Sequence, residues 1–188
     1  MGARTDNAAP AARSRRGRTA AGLVLAAAMA LAAVLALREH RRRHRFDPLI
    51  AEIAAALDVD AALIWRVVRR ESGFRPDAVG AAGEVGLMQI TAGAARDWAE
   101  SHRVEPPDRA ALFDPALNLR IGAWYLGRAL RHWGDRDNPV VFALAEYNAG
   151  RSNAARWAAG APDAEAFLAA ITYPSTRRYI RDVMGRSR

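Results

Sequence analysis

Thr19 to Leu37 is a run of nineteen residues without a charge, bracketed by arginine on both sides. As an α-helix rising about 1.5 Å per residue it spans roughly 28 Å, close to the hydrocarbon thickness of a bilayer. It has no polar face, so it does not suit the surface of a soluble domain. Two fates remain, an uncleaved membrane anchor or a cleaved secretion signal. Signal-peptide apolar cores run about 7 to 15 residues before a small-residue cleavage site. Ala30-Leu31-Ala32 could mimic such a site, but the apolar run continues to Leu37 and meets Arg38 directly. Length therefore favours the anchor. The expected organisation is a basic tail over 1–18, a transmembrane signal-anchor helix over 19–37, a basic juxtamembrane segment over 38–46, and one globular domain over 47–188.

The charge distribution follows the same division. Residues 1–45 hold ten arginines against Asp6 and Glu39, a balance of +8, which is the net charge of the whole chain. The other 18 arginines meet 18 acidic residues, so the domain is neutral. A neutral domain has no excess charge to drive phosphate binding, and nucleic acid is not an expected partner. Orientation is undecided, because Arg4, Arg13, Arg15, Arg16 and Arg18 precede the span while Arg38, Arg41, Arg42, Arg43 and Arg45 follow it. The second cluster could rest on anionic lipid headgroups. His40 and His44 have a metal-like spacing, but arginines surround them and no carboxylate pair accompanies them, so no metal site is expected. The chain has no cysteine, and neither disulfides nor thiol chemistry are available.

Beyond the span the pattern is all-helical. Helical periodicity covers Asp47 to Leu57, Asp60 to Ser72, Thr91 to Ser101, Pro115 to Trp133, Pro139 to Asn148, Asn153 to Ala159 and Thr176 to Met184, with Gly or Pro between segments. The expected fold is a single all-α domain, with room for one short hairpin in a glycine-rich loop. Trp65, Trp98, Trp124, Trp133 and Trp157 could stack on sugar rings, but their spacing with Leu, Ile and Val reads mostly as core. Trp124 and Tyr125 are adjacent, so at most one of them can face the core fully.

Within this frame Glu71 stands out. Asp60 is a suitable N-cap, and Ile64, Val67 and Val68 recur at the three-and-four spacing of one buried face, which three or four further residues carry to Glu71. Arg66, Arg69 and Arg70 supply the solvated side. Gly73 ends the helix and Pro76 prevents its resumption. A carboxyl on the apolar stripe is partly desolvated, which raises its pKa and lets it serve as a general acid near neutrality. Periodicity alone favours instead a last-turn Glu that rotates into water or pairs with Arg75, since surface Glu is the common case.

A glycine passage follows. Gly80, Gly83 and Gly86 lack the Gly-Lys-Ser or Gly-Lys-Thr of a phosphate loop and the dinucleotide spacing. They permit a tight loop with positive φ and close backbone approach. Leu87, Met88 and Ile90 look like its buried anchor, and Gln89 among them needs a partner from the backbone or a ligand.

The run from Glu71 to Gln89 resembles the first signature of the soluble lytic transglycosylase family, whose domain resembles goose-type lysozyme. Asn118, Gly122, Tyr125 and Leu126 are similar to its second motif, and Ala145-Glu146-Tyr147-Asn148-Ala149-Gly150 to its Ala-Tyr-Asn-Ala-Gly motif. Tyr173-Pro174-Ser175-Thr176-Arg177-Arg178-Tyr179-Ile180 resembles the closing helix. The likeness covers roughly Asp47 to Met184, in four ordered pieces.

The resemblance implies a lysozyme-like fold and a peptidoglycan-cleaving enzyme without a cofactor. Glu71 would be the catalytic acid and then base. It would protonate the bond between N-acetylmuramic acid and N-acetylglucosamine, and the 6-hydroxyl would close a 1,6-anhydro ring. Gln89, Met88, Tyr147 and Asn148 match positions at the substrate side. Tyr147 would hydrogen-bond Glu71 or the sugar, and Asn148 with Gly150 would shape the turn that presents it. Two residues depart from the family pattern. Gly80 replaces a usual Ser, which removes a hydroxyl, and Glu84 replaces a small apolar residue and reads as solvated and paired with an arginine.

Glycoside hydrolases generally use two carboxyl groups. Asp77 reads as a turn former, and Glu146 either approaches the cleft or faces water. With Glu84 they are the available second carboxylates, and no spacing requires any of them to oppose Glu71, which favours a single-Glu mechanism. A hydrolytic muramidase and a glycan-binding scaffold are the alternatives. An extracytoplasmic substrate implies a single-pass protein of the cytoplasmic membrane with its domain facing the periplasm or cell exterior.

Overall fold

A computed structural model describes residues 12–185, and side chains from residue 21 onward. The chain divides after Arg42 into two compact units. In the first, the apolar run lies in helix α1 (Ala12–His44). Its side chains are open on all sides, from Val34 at 46 % to Leu23 at 73 % exposure. It is long and apolar enough to cross a membrane, with a mean hydropathy of 2.2 over eighteen residues.

The second unit is all-α. Its helices are α2 (Asp47–Leu57), α3 (Ala61–Glu71), α4 (Ala92–His102), α5 (Pro115–His132), α6 (Pro139–Ala149), α7 (Arg151–Ala158), α8 (Ala164–Ala170) and α9 (Pro174–Met184). A 3-10 turn at Ala111–Phe113 precedes α5. Four of the starts are set by side-chain caps. Asp60 accepts from the Ala62 amide, Thr91 from Ala94, Asp114 from Leu117 and Asp163 from Ala166, each at 2.8–3.0 Å. Periodicity gives no helix over 160–172, yet α8 forms there. Seven residues carry too little pattern to be read, and the helix is held by Phe167, which is fully buried and stacked on Phe142 with centroids 4.0 Å apart.

Helices α5 and α6 form the centre. α5 packs on α2, α4 and α6, and α6 packs on α7, α8 and α9. Val141 to Glu146 are all buried, so α6 is covered all round. α3 lies between α2 and α9. Its stripe of Leu63, Ile64, Val67 and Val68 is at most 2 % exposed, as the sequence spacing requires. Trp133 and Trp157 are buried, Trp65 and Trp98 pack partly on the core, and both Trp124 and Tyr125 are half-buried.

The glycine passage forms no strand. Two isolated antiparallel bridges, Val79 with Val85 and Val85 with Ile90, take the place of a hairpin. Gly83, Gly86 and Gln89 all have positive φ, which curls the chain before a ladder can propagate.

Candidate active site

Glu71 is the last residue of α3, and its surroundings are assembled from four other parts of the domain. Ser72 caps the helix and is itself buried, donating its hydroxyl to the Leu87 carbonyl at 2.8 Å. Gly73 and Phe74 then turn through positive φ. For Phe74 that conformation is strained, and the ring, 1 % exposed and 5.0 Å from Trp65, holds it in place. Arg75 donates to the Ser72 carbonyl, so it does not neutralise Glu71.

The loop is fastened to α5 by Asn118. This fully buried amide accepts from the Met88 N–H at 2.8 Å and donates to the Val85 and Leu112 carbonyls at 2.9 and 2.7 Å. The motif glycines are explained by the same junction. A Cβ on Gly86 would overlap the Asn118 amide and lie 2.9 Å from the Leu112 carbonyl. One on Gly122 would overlap the Met88 sulfur and lie 2.6 Å from its Cβ. Met88 is therefore fully buried against α5. Its side chain is an anchor and faces no ligand, and only its backbone carbonyl reaches the site residues.

That carbonyl accepts the Tyr147 hydroxyl at 2.9 Å. Tyr147 thus donates to Met88 and not to Glu71, although it lies near enough for the Glu71 charge to raise its pKa further, beyond the effect of burial. Gln89 has φ 51, and its Nε2 donates to the Gly86 and Ala78 carbonyls at 3.0 and 3.4 Å. Asn148 is exposed and accepts from the Thr176 hydroxyl at 2.8 Å, tying α6 to α9. Gln89, Tyr147, Asn148 and Gly150 line a cavity of about 250 Å³ together with Tyr125 and Ala94. Glu71 is outside that lining.

The Glu71 carboxyl has its pKa raised from 4.5 to about 7. Burial is the main cause, opposed by the Tyr179 hydroxyl and the Arg70 charge and assisted by the Glu84 charge. Tyr179 is a functional candidate that the sequence reading did not single out. It is buried on α9, its hydroxyl completes no hydrogen bond of full geometry, and it lies against Glu71. Thr176, Tyr179, Ile180 and Val183 form a buried stripe at three-and-four spacing, so a phenol among them that needed a polar neighbour was the available signal. Burial, and then the Glu71 charge, push the Tyr179 pKa well up, so both tyrosines stay neutral donors.

The other carboxylates are sorted by their partners. Glu146 borders the same cavity as Tyr147 but is 2 % exposed, and its Oε2 is engaged there, accepting from Trp133 Nε1 and facing His132 Nδ1, both at 2.8 Å. Asp77 stays exposed in its turn. Glu84 is half-buried and accepts from the Ala82 N–H at 3.0 Å, and among the described residues no arginine pairs with it. His44 faces Asp47 at 2.6 Å, and no cluster of three or more His, Cys, Asp or Glu suited to a metal occurs among the described residues. A carboxyl that keeps its proton to about pH 7, among neutral tyrosines and an amide, is equipped to donate that proton to a neutral polar substrate.

The comparisons with known proteins agree with this picture. The family model described as "Transglycosylase SLT domain" matches residues 48–169, more than half the chain. The soluble lytic murein transglycosylase of Salmonella typhimurium is 30 % identical over 152 residues, 78 % of this chain and 23 % of that protein. Its Escherichia coli K12 counterpart is 29 % identical over 150 residues, with the same coverage. This chain thus spans about a quarter of the length of these relatives. Among solved structures, the 70 kDa soluble lytic transglycosylase of Escherichia coli superposes with TM-score 0.67 and 26 % identity, over 74 % of this chain and 23 % of that one. A complex of the 70-kDa soluble lytic transglycosylase with bulgecin A gives TM-score 0.69 and 27 % identity, over 78 % and 24 %. An inactive mutant of the Pseudomonas aeruginosa lytic transglycosylase Slt gives 0.65 and 25 %, over 73 % and 22 %. With its lysozyme-like all-α domain and a family match across most of that domain, the chain belongs to the transglycosylase SLT domain family.

Proposed function

We propose that this protein is a membrane-anchored lytic transglycosylase that cleaves the bond between N-acetylmuramic acid and N-acetylglucosamine in peptidoglycan, with Glu71 as its single catalytic carboxyl. The observation that carries this reading is the half-buried Glu71 carboxyl, its pKa raised to about 7 by desolvation, at the junction of α3, α9 and the Asn118-fastened loop. The relatives' names supply the substrate class.

In the first step Glu71 gives its proton to the bridging oxygen as the bond from that oxygen to the muramic C1 breaks, and N-acetylglucosamine leaves with a hydroxyl. In the second the Glu71 carboxylate takes the proton of the muramic 6-hydroxyl while that oxygen bonds to C1. No water is consumed, a 1,6-anhydro ring is formed, and Glu71 ends protonated. Alternation of one group between acid and base requires a pKa close to the working pH, which burial provides. Gln89, Tyr147 and Asn148 border the cavity and would hold the sugar beside it. Met88 would contribute only through its backbone.

Residues 19–37 would anchor the protein, 1–18 and 38–46 would flank the span as basic segments, and 47–188 would act outside the cytoplasm. Mass spectrometry of sacculi digested by the purified protein tests the reaction. Anhydromuramic ends are the expected product. Reducing muramic ends would establish a hydrolytic muramidase instead, and bound but intact glycan a scaffold.

A further inference from the structure

Two acceptor oxygens converge beside Gly80, and among the described residues no side chain donates to either. A Cβ built on Gly80 would lie within 2.6 Å of both Glu84 Oε2 and Gln89 Oε1. The orientation of the Gln89 amide is fixed by its network, because Nε2 donates to two backbone carbonyls and Oε1 is left as the free acceptor. Glu84 Oε2 accepts from the Ala82 N–H, and a carboxylate oxygen has capacity for more. Arg109, which reaches this loop from the segment before the 3-10 turn, spends its Nη1 on the Gly83 carbonyl at 2.7 Å. Glu84 also lies near enough to Glu71 for its charge to oppose ionisation there. Convergent acceptors near a proton-donating carboxyl call for a ligand rich in donors.

We propose that Glu84 and Gln89 form an acceptor pair for a hydroxyl or acetamido N–H of the glycan, with Glu84 acting as a positioning residue that seats the sugar against Glu71. Gly80 belongs to the same device, since any side chain at 80 would occupy the space where the two oxygens meet. Glu84 is thus no solvated surface charge. It takes over the polar role that the missing side chain at 80 leaves open. This inference rests on the reading of the chain as a glycan-cleaving domain.

The test compares the full chain in detergent micelles with Glu84→Gln, Glu84→Ala and Gly80→Ser, on soluble uncrosslinked peptidoglycan strands. Glu84→Gln retains an acceptor for the Ala82 N–H and removes the charge. Glu84→Ala should raise KM about tenfold, the scale of a hydrogen bond to a charged group, with a smaller change in kcat. Glu84→Gln should fall between it and the wild type. Gly80→Ser should impair activity alone and be partly relieved when combined with Glu84→Ala, because only Gln89 Oε1 then remains against the new side chain.

The pH profile gives a further reading. Arg70 on α3, Tyr179 on α9, Tyr147 on α6 and Glu84 on the loop are the groups facing Glu71. Removing the Glu84 charge should move the alkaline limb to lower pH. Unchanged KM and limb in both Glu84 variants, with Gly80→Ser additive to Glu84→Ala, would overturn the proposal and leave the enzyme reading intact. If the wild type binds strands without cleaving them, the enzyme reading fails. Strand affinity then decides, where a tenfold loss in Glu84→Ala supports the acceptor pair and unchanged affinity overturns it.

Discussion

At Glu71 burial opposes the charge, while Tyr179 and Arg70 favour it, and burial prevails. On the proposed mechanism activity needs the protonated form, and kcat/KM should fall about tenfold per pH unit above pH 7. Glu71→Gln should abolish cleavage with the fold intact, and persistent product release would sink the assignment. The same shift bears on stability. Glu71 holds its proton up to about pH 7 when folded but to about 4.5 when unfolded, so the native state binds more protons between those values. Folding stability is lost as pH rises through that window, and the full cost is present above it. Glu71→Gln should therefore stabilise the protein by roughly 1–3 kcal/mol at pH 8 and by almost nothing at pH 4, as thermal melts at the two pH values would show. Tyr179→Phe removes a hydroxyl that favours the carboxylate, so the alkaline limb should move up. With no full hydrogen bond to lose, stability should change by less than about 1 kcal/mol.

The element that decides the site is the loop from Ser72 to Ile90, which has little regular structure of its own. It is held at Ser72 by the Leu87 carbonyl, at Met88 by Asn118 and Tyr147, and at Gly86 by close approach to α5. Asn118→Ala leaves the Met88 N–H and two carbonyls without a buried partner, and a loss of roughly 2–4 kcal/mol is expected in chemical denaturation. Gly122→Ala pushes a methyl into Met88, and about 1–3 kcal/mol of overpacking should appear in the same experiment. Because Met88 also carries the acceptor for Tyr147, activity should fall in both variants at temperatures where they remain folded. Full activity would mean that the loop holds its shape without α5.

On the scale of the whole molecule, the excess of positive charge and the long apolar helix belong to one part of the chain and the acid chemistry to another. A variant beginning at Asp47 should be soluble without detergent and still cleave isolated strands, while the full chain should stay with membranes in high salt. Loss of strand cleavage in the short form would tie the anchor to the chemistry. A reporter active only outside the cytoplasm, fused after Arg188, should work, and a stable but inactive fusion would reverse the orientation.

Helix positions were legible wherever the apolar stripe was long. Asp47 to Leu57 coincides with α2, and Asp60 caps α3 as its residue type suggests, because local propensity and burial agree there. The stripe of Ile64, Val67 and Val68 also set the face on which Glu71 lies. The short α8 had no such stripe, and the hairpin gave way to positive-φ residues that bend the chain. The sequence alone determined the all-helical class, the uncharged span and the division of charge, since each depends on composition or on neighbours a few residues apart. Only the tertiary structure decided that Tyr179 meets Glu71, that Tyr147 donates to the Met88 carbonyl, that Glu146 is occupied by Trp133 and His132, and that Glu84 stands beside Gln89 without an arginine. Those facts depend on which elements pack together, and the polarity of a side chain says what it needs but not which distant residue will supply it.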